Sequence, residues 1–337
     1  MTPWVAALLL LLILVAPLVS TPIERNLELY FLAVGIVAAT LSRSWSFRLI
    51  AQVLRSPVPI TCAVVLAGLI FSRLGRRADA AFDRLRRSLP RPLLTGVSIF
   101  LVGLASSLIS SIIAGLVLVE TIGLLDLGPP ARDRVVVAGC FAIGIGSALT
   151  PAGGPFSAIV AAGLNLGFGG LIQLLGPWLI GGVVAMSLLS AWFARGDYDL
   201  AANATPLRRR MRDTLRQGAK VFAFVAGLAL VSAAYAPLAL RWVPLIAPSL
   251  LYWGNVTSAV LDNAALAAIE IHGIPYPEIK PAVLAMVIAG GILVPGNIPN
   301  ILCAGILGIS SRRWAVVGIP IGLSLMGICF AVWMVHG

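Results

Sequence analysis

Between Leu251 and Ile309, oxygen-bearing side chains gather in the middle of apolar sequence: Asn255, Thr257, Ser258, Asp262 and Asn263. Further on the chain reads Val294-Pro295-Gly296-Asn297-Ile298-Pro299-Asn300, a helix-breaking run inside a second apolar segment. Carboxylate, amide, hydroxyl and freed backbone carbonyl are the oxygen ligands that hard cations take. Asp262 can alternate between a proton and such a cation, with Asn263 and Asn297 helping to hold a transported Na⁺ or similar ion. The first half of the chain answers with Ser106, Ser107, Ser110, Ser111 and Thr150, then Pro151, Gly153 and Pro155, but has no acid at its centre. A half-helix beginning after Pro151 or Pro295 also points a positive dipole end into this space, which suits an anion.

An acid at mid-membrane depth costs roughly 2.5–3.5 kcal/mol on the insertion scale, so it marks function more often than packing. Broken backbone is tolerated in hydrocarbon only where it is buried in protein or lines a polar cavity. Taken singly, each Asn or Ser here reads as interhelical hydrogen-bond glue, and each Pro or Gly as a packing kink. As a set they read as a solute site near the bilayer midplane.

The elements that must position these groups are membrane helices. The 337 residues are 59% apolar and 11% charged, with a mean hydropathy of +1.01. Several apolar runs approach the roughly 20 residues that span a bilayer. A net charge of +11 would point to nucleic acid in a soluble protein, but here Lys and Arg cluster in a few loops, as orientation signals do. Cys62, Cys140, Cys303 and Cys329 stand singly in apolar sequence, with no metal spacing and no disulfide pattern. The apolar run from Trp4 to Val19 lacks the basic region of a signal peptide and is expected to remain as a first helix.

Residues 1–72 read as N-terminal scaffold helices, 73–194 as a first repeat, 195–220 as a cytoplasmic linker and 221–337 as a second repeat. The first repeat holds a polar-centred stretch at 93–125 and a broken run at 135–165; the second holds their counterparts at 244–273 and 281–309. Pro151 and Pro155 match Pro295 and Pro299, both pairs at spacing four. Ser107 precedes Glu120 by 13 residues, and Thr257 precedes Glu270 by 13. The common order of these matches makes an internal repeat.

Orientation follows from charge. If 93–125 and 244–273 each enter and leave on one side, 19 of the 24 basic residues share a face, leaving Arg43, Arg48, Arg55, Arg241 and Lys280 on the other. The hairpins then open to opposite sides, so the repeats are inverted and the carboxyl end lies outside. The expected fold is an all-α polytopic membrane protein of inverted-repeat, ion-transporter type, with two re-entrant hairpins and two broken helices. Glu120 and Glu270, near the hairpin ends, read as interfacial or capping residues.

The sequences around Asp262-Asn263, Val294 to Asn300 and Ala148-Leu149-Thr150-Pro151 resemble a prokaryotic family of predicted cation transporters. That family is similar to the wider ion transporter superfamily of sodium/proton antiporters, arsenite carriers and sodium-coupled di- and tricarboxylate carriers. In the carboxylate carriers each hairpin tip bears a Ser-Asn-Thr motif, and each broken helix a Pro- and Thr-rich loop. The matching positions here are Asp262-Asn263-Ala264, the serines of 106–111, Thr150 to Pro155 and Val294 to Asn300. No Ser-Asn-Thr triplet stands at either centre, and the Asp-Asn pair is closer to what the antiporters carry. The resemblance implies a homodimer with an elevator-like moving domain in the inner (plasma) membrane of a prokaryote.

The expected function is secondary active ion transport, with cation/proton antiport ahead of sodium-coupled anion transport. Its partners are then membrane lipid and the transported ion, with no nucleic acid and no cofactor beyond a coupling Na⁺ or H⁺. An intramembrane enzyme would need a nucleophile with a base, paired aspartates or a metal cluster, and none is legible. A channel would also use broken helices, but inverted hairpins favour a carrier.

Overall fold

The computed structural model describes residues 3–20, 22–23, 26–55, 57–58, 61–62, 88–195, 211–261, 263–271 and 276–336. Arg25, the arginines from Arg73 to Arg87, linker residues 196–210, Asp262, His272 and Gly337 lie outside the described residues. Helices α1 (Pro3–Val19), α2 (Leu27–Leu41) and α3 (Phe47–Arg55) open the chain. The first half continues with α4 (Arg91–Ile109), α5 (Ser111–Leu124), α6 (Pro129–Ser147), α7 (Pro155–Gly163) and α8 (Gly170–Phe193). The second comprises α9 (Met211–Trp242), α10 (Pro248–Gly254), α11 (Asn263–Glu270), α12 (Tyr276–Ala289), α13 (Ile298–Leu307) and α14 (Ser311–His336).

Among the described residues four stretches, Arg91–Ile109, Gly170–Phe193, Gly218–Trp242 and Ser311–Val335, are long and apolar enough to cross a membrane. Leu101, Leu188, Val316 and Ile328 stand exposed on them. A helix that keeps large apolar side chains on its outer surface is solvated by lipid rather than water. The protein is therefore a multi-pass, all-helical membrane protein.

The interior is built differently. Helix α6 is buried continuously from Val135 to Gly146, and residues 281–296, which include most of α12, are buried throughout. Each of these two helices stops inside the protein. Thr150 is extended, Pro151 brings no amide hydrogen, and a 3₁₀ turn at Pro151–Gly153 precedes α7. In the second half Leu293 and Asn297 are extended on either side of a 3₁₀ turn at Val294–Gly296, and α13 follows. Helix α13 ends at Gly308 in the left-handed region (φ 66°), a cap that glycine supplies at no steric cost.

Helices α4 and α5 meet at Ser110, whose φ of 68° reverses the chain at a single residue. Its second-half counterpart is α10, a 3₁₀ turn at Asn255–Ala259, and α11. The halves then interlock. Helix α5 packs on α13, where Gly115 meets Pro299 and Cys303 Sγ donates to the Gly115 carbonyl at 3.5 Å; α11 packs on α7. At one end of the molecule the buried carboxylate of Asp133 on α6 takes Arg132 at 3.2 Å and Arg313 of α14 at 2.6 Å. Arg313 also donates to the carbonyl of Gly308.

Outside this interlocked body lies the pair α2–α9. Phe31 and Phe224 place their rings 4.7 Å apart, Lys220 pairs with Glu28 at 2.7 Å, and Tyr235 on α9 donates to the Ala6 carbonyl of α1 at 2.7 Å. The two helices touch backbone to backbone at Gly35 and Gly227, where a Cβ on Gly35 would lie 2.6 Å from the Gly227 carbonyl and one on Gly227 would run into the Phe31 backbone. Gly227→Leu is expected to force this crossing apart and destabilise the protein by about 1–3 kcal/mol or more. A melting temperature unchanged from wild type in detergent would show that α2 and α9 do not cross here.

Candidate functional site

The two interruptions and the two helix reversals share one small cavity. It is lined by Ser111 at the start of α5, Gly154 to Ser157 at the start of α7, Asn263 and Ala264 at the start of α11, and Gly296 to Ile298 at the start of α13. Gly144 and Ser147, from the last turn of α6, complete the polar wall. Its volume of about 50 Å³ admits a few waters or a desolvated ion, well short of the roughly 300 Å³ where organic-ligand pockets begin.

Each wall is pinned by its own half. Thr150 donates to the Ser107 carbonyl at the end of α4 and accepts from Ala152 N at 3.3 Å, which joins the first interruption to the first reversal. In the second half a Cβ on Gly296 would lie 3.0 Å from Ala259 Cα, so the absent side chain lets the two turns touch. Ser258 donates to the Met286 carbonyl at 3.2 Å and ties the same turn to α12. Asn297 caps α13, its Oδ1 accepting from Ile298 N at 2.9 Å.

Asn300 sits one turn below and is fully buried. Its Nδ2 donates to the carbonyls of Gly290 (2.8 Å), just past the end of α12, and of Leu293 (2.9 Å), which also accepts from Gly296 N at 3.2 Å. Its Oδ1 is buried with no hydrogen-bond partner. Opposite α13, the site a Cβ on Gly144 would occupy lies 3.1 Å from Asn297 Nδ2; on Gly290 it lies 3.3 Å from Asn263 Nδ2. Glycine at these positions lets both amides reach across to the core helices.

The expected site residues divide into groups. Asn263, Gly296, Asn297 and Ser111 line the cavity, with Pro295 buried beside it and Asn300 beneath. Gly153, Thr150 and Pro151 shape the first interruption. Ser107 is buried and bonded to its own helix, donating to the Leu104 carbonyl at 2.7 Å, and Ser110 forms the α4–α5 corner. Asn255 and Thr257 line a different cavity, near α9. Asp262 lies outside the described residues, next in sequence to the cavity-lining Asn263.

Sequence reasoning passed over Ser147 and Ser157, whose hydroxyls donate to the Gly144 (2.9 Å) and Gly154 (3.0 Å) carbonyls, and the glycines that admit Asn263 and Asn297. Their position beside the interruptions was the available signal. Glu270 departs from the interfacial or capping role expected of it. It is 1% exposed and accepts from Asn255 Nδ2 at 3.0 Å. Among the described residues no group of three His, Cys, Asp or Glu side chains gathers as a metal site would require.

No curated protein matches this chain. A family model described as a protein of unknown function, DUF1646, matches residues 4–336. The match runs through both halves and every cavity-lining segment, and the chain belongs to the DUF1646 family of membrane proteins of unknown function.

Proposed function

We propose that the protein is a secondary ion carrier working by alternating access, and that it exchanges a cation for protons. The observation that carries this reading is the shared cavity, where two helix interruptions and two helix reversals from opposite halves converge on polar side chains. Discontinuous helices meeting at a repeat interface are how carriers expose backbone groups to an ion within the bilayer. The small volume suits an ion rather than a di- or tricarboxylate. Asp262, one residue before Asn263, brings the charge, while Asn263 and Asn297 bring neutral oxygens. The Asp133–Arg313 pair supports the placement of Arg132 and Arg134 on the same face as Arg312 and Arg313, as inverted repeats require. The interlocked body of α4–α7 and α10–α13 is then the moving unit, sliding as an elevator against α2–α9, and the assembly is a homodimer.

A second reading has its own observation. The amino ends of α5, α7, α11 and α13 all reach the cavity. Helix amino ends carry partial positive charge, and four converging on one space favour an anion. That reading is sodium-coupled transport of a small inorganic anion.

Reconstituted vesicles carrying an internal pH dye separate the two. Proton movement that depends on added Na⁺, K⁺ or Ca²⁺ is the expected result. Anion uptake that needs Na⁺, without such proton movement, would transfer the assignment to the second reading. Flux of neither kind from folded, inserted protein would remove both. Asn297→Ala and Asn263→Ala are each expected to weaken apparent ion affinity about threefold to tenfold, since each removes one neutral ligand. Affinities unchanged in both variants would place the ion elsewhere.

A further inference from the structure

A second and larger cavity, of about 310 Å³, lies between α9 and the second-half segment formed by α10, its 3₁₀ turn and α11. Its walls are mostly apolar, with Leu10, Tyr235, Trp242, Leu251 and Leu266 among them. Asn255 and Glu270, each 1% exposed, form part of this lining. Glu270 accepts one hydrogen bond from Asn255, and no Lys or Arg among the described residues pairs with it. Asn255 Nδ2 is shared with the Ala282 carbonyl of α12 at 3.3 Å, so the amide fixes the carboxyl in place. On the opposite wall Ser232 Oγ is buried without a hydrogen-bond partner.

We propose that this cavity is a binding site for a small lipophilic ammonium ion, with its apolar body against α9 and its charge on Glu270. Size, lining and a few convergent polar groups are those of a ligand pocket. A carboxylate in an apolar wall is costly unless it takes up a proton or a cation accompanies it, and an ammonium provides both the charge and N–H donors. A lipid acyl chain would fill the space but leave the Glu270 carboxyl without a counter-charge. A bare metal ion would find too few oxygens among these walls. The site is separate from the ion cavity and does not rest on the carrier reading.

The test uses the full chain in phosphatidylcholine nanodiscs with radiolabelled 1-adamantylammonium as probe and 1-adamantanol as its neutral counterpart. Saturable binding is expected, with the alcohol a poor competitor. Glu270→Gln keeps the hydrogen-bonding shape but removes the charge, and is expected to weaken binding about tenfold or more. Gly254 supplies an independent variant. It lines the cavity in ordinary helical backbone (φ −59°, ψ −29°), and a Cβ placed on it meets nothing within 4 Å. Gly254→Leu should therefore fill the cavity and abolish binding while the melting temperature holds. Equal competition by 1-adamantanol would overturn the proposal, as would wild-type affinity in folded Glu270→Gln or Gly254→Leu protein. So would the absence of saturable binding to folded wild-type protein, which would leave the space to lipid.

Discussion

Asp262→Asn is expected to stop ion exchange in reconstituted vesicles while leaving the protein folded and inserted. Asparagine keeps the volume and most of the hydrogen bonding of aspartate but cannot exchange a proton for a cation. Asp262 directly precedes Asn263, the first residue of α11, whose side chain lines the ion cavity. Among the described residues that line this cavity none is acidic, so Asp262 is the nearest acid in sequence to supply a charge that alternates between proton and cation. The loss should exceed that from Asn263→Ala or Asn297→Ala, because those remove a ligand and this removes the coupling. Flux is measured with the pH dye, and folding by melting temperature in detergent. Wild-type exchange with unchanged pH dependence in the Asn variant would exclude this carboxylate as the coupling group and strengthen the anion reading.

Asn300→Leu is expected to be the most destabilising change beside the ion cavity. The leucine removes both donors that hold the Gly290 and Leu293 carbonyls. The buried Gly290 carbonyl, left unpaired, costs about 1–3 kcal/mol where water cannot easily replace the donor, while the Leu293 carbonyl keeps its bond from Gly296 N. Removing Oδ1, itself without a partner, offsets part of this. Asn300→Asp retains the acceptor and loses the amide donors, so it should be destabilised as well. Melting temperatures in detergent read both effects. Wild-type stability in both variants would mean that the carbonyls at the end of α12 find other donors and that Asn300 does not pin the interruption.

Much of this architecture was legible because proline and glycine act on the backbone itself. Pro151 begins one 3₁₀ turn and Pro295 is the second residue of the other, and the α7 and α13 starts fall at Pro155 and just before Pro299. Side-chain direction was harder to read. Asn255, Thr257 and Ser258 are neighbours in sequence, but a 3₁₀ turn rotates successive residues by a third of a circle. Asn255 and Ser258, a full turn apart, thus share the side toward α12, where they donate to the Ala282 and Met286 carbonyls. Thr257 points elsewhere, toward the apolar cavity that Asn255 also borders. Glu270 was misread for a related reason. Its partner Asn255 is fifteen residues away along the chain and becomes a neighbour only when the reversal closes. Gly144 and Gly290 gave no signal of their own in a chain with 34 glycines, since what matters is the amide that each admits from across the site.

The interlocking of the halves bears on how the protein is made. Helix α5 needs α13 as its partner, and α7 needs α11, yet synthesis delivers α5 and α7 well before either. Contacts so distant along the chain must wait for both partners, and closing such loops slows folding. A ribosome that has released only the first 194 residues has therefore inserted a half that cannot bury the inner surfaces of α5 and α7. That nascent half must be held by lipid, by the insertion machinery or by a chaperone until residues 263–307 arrive. The same dependence makes truncation after the linker ruinous in vivo, whereas two separately encoded halves, supplied together, retain a route to assembly.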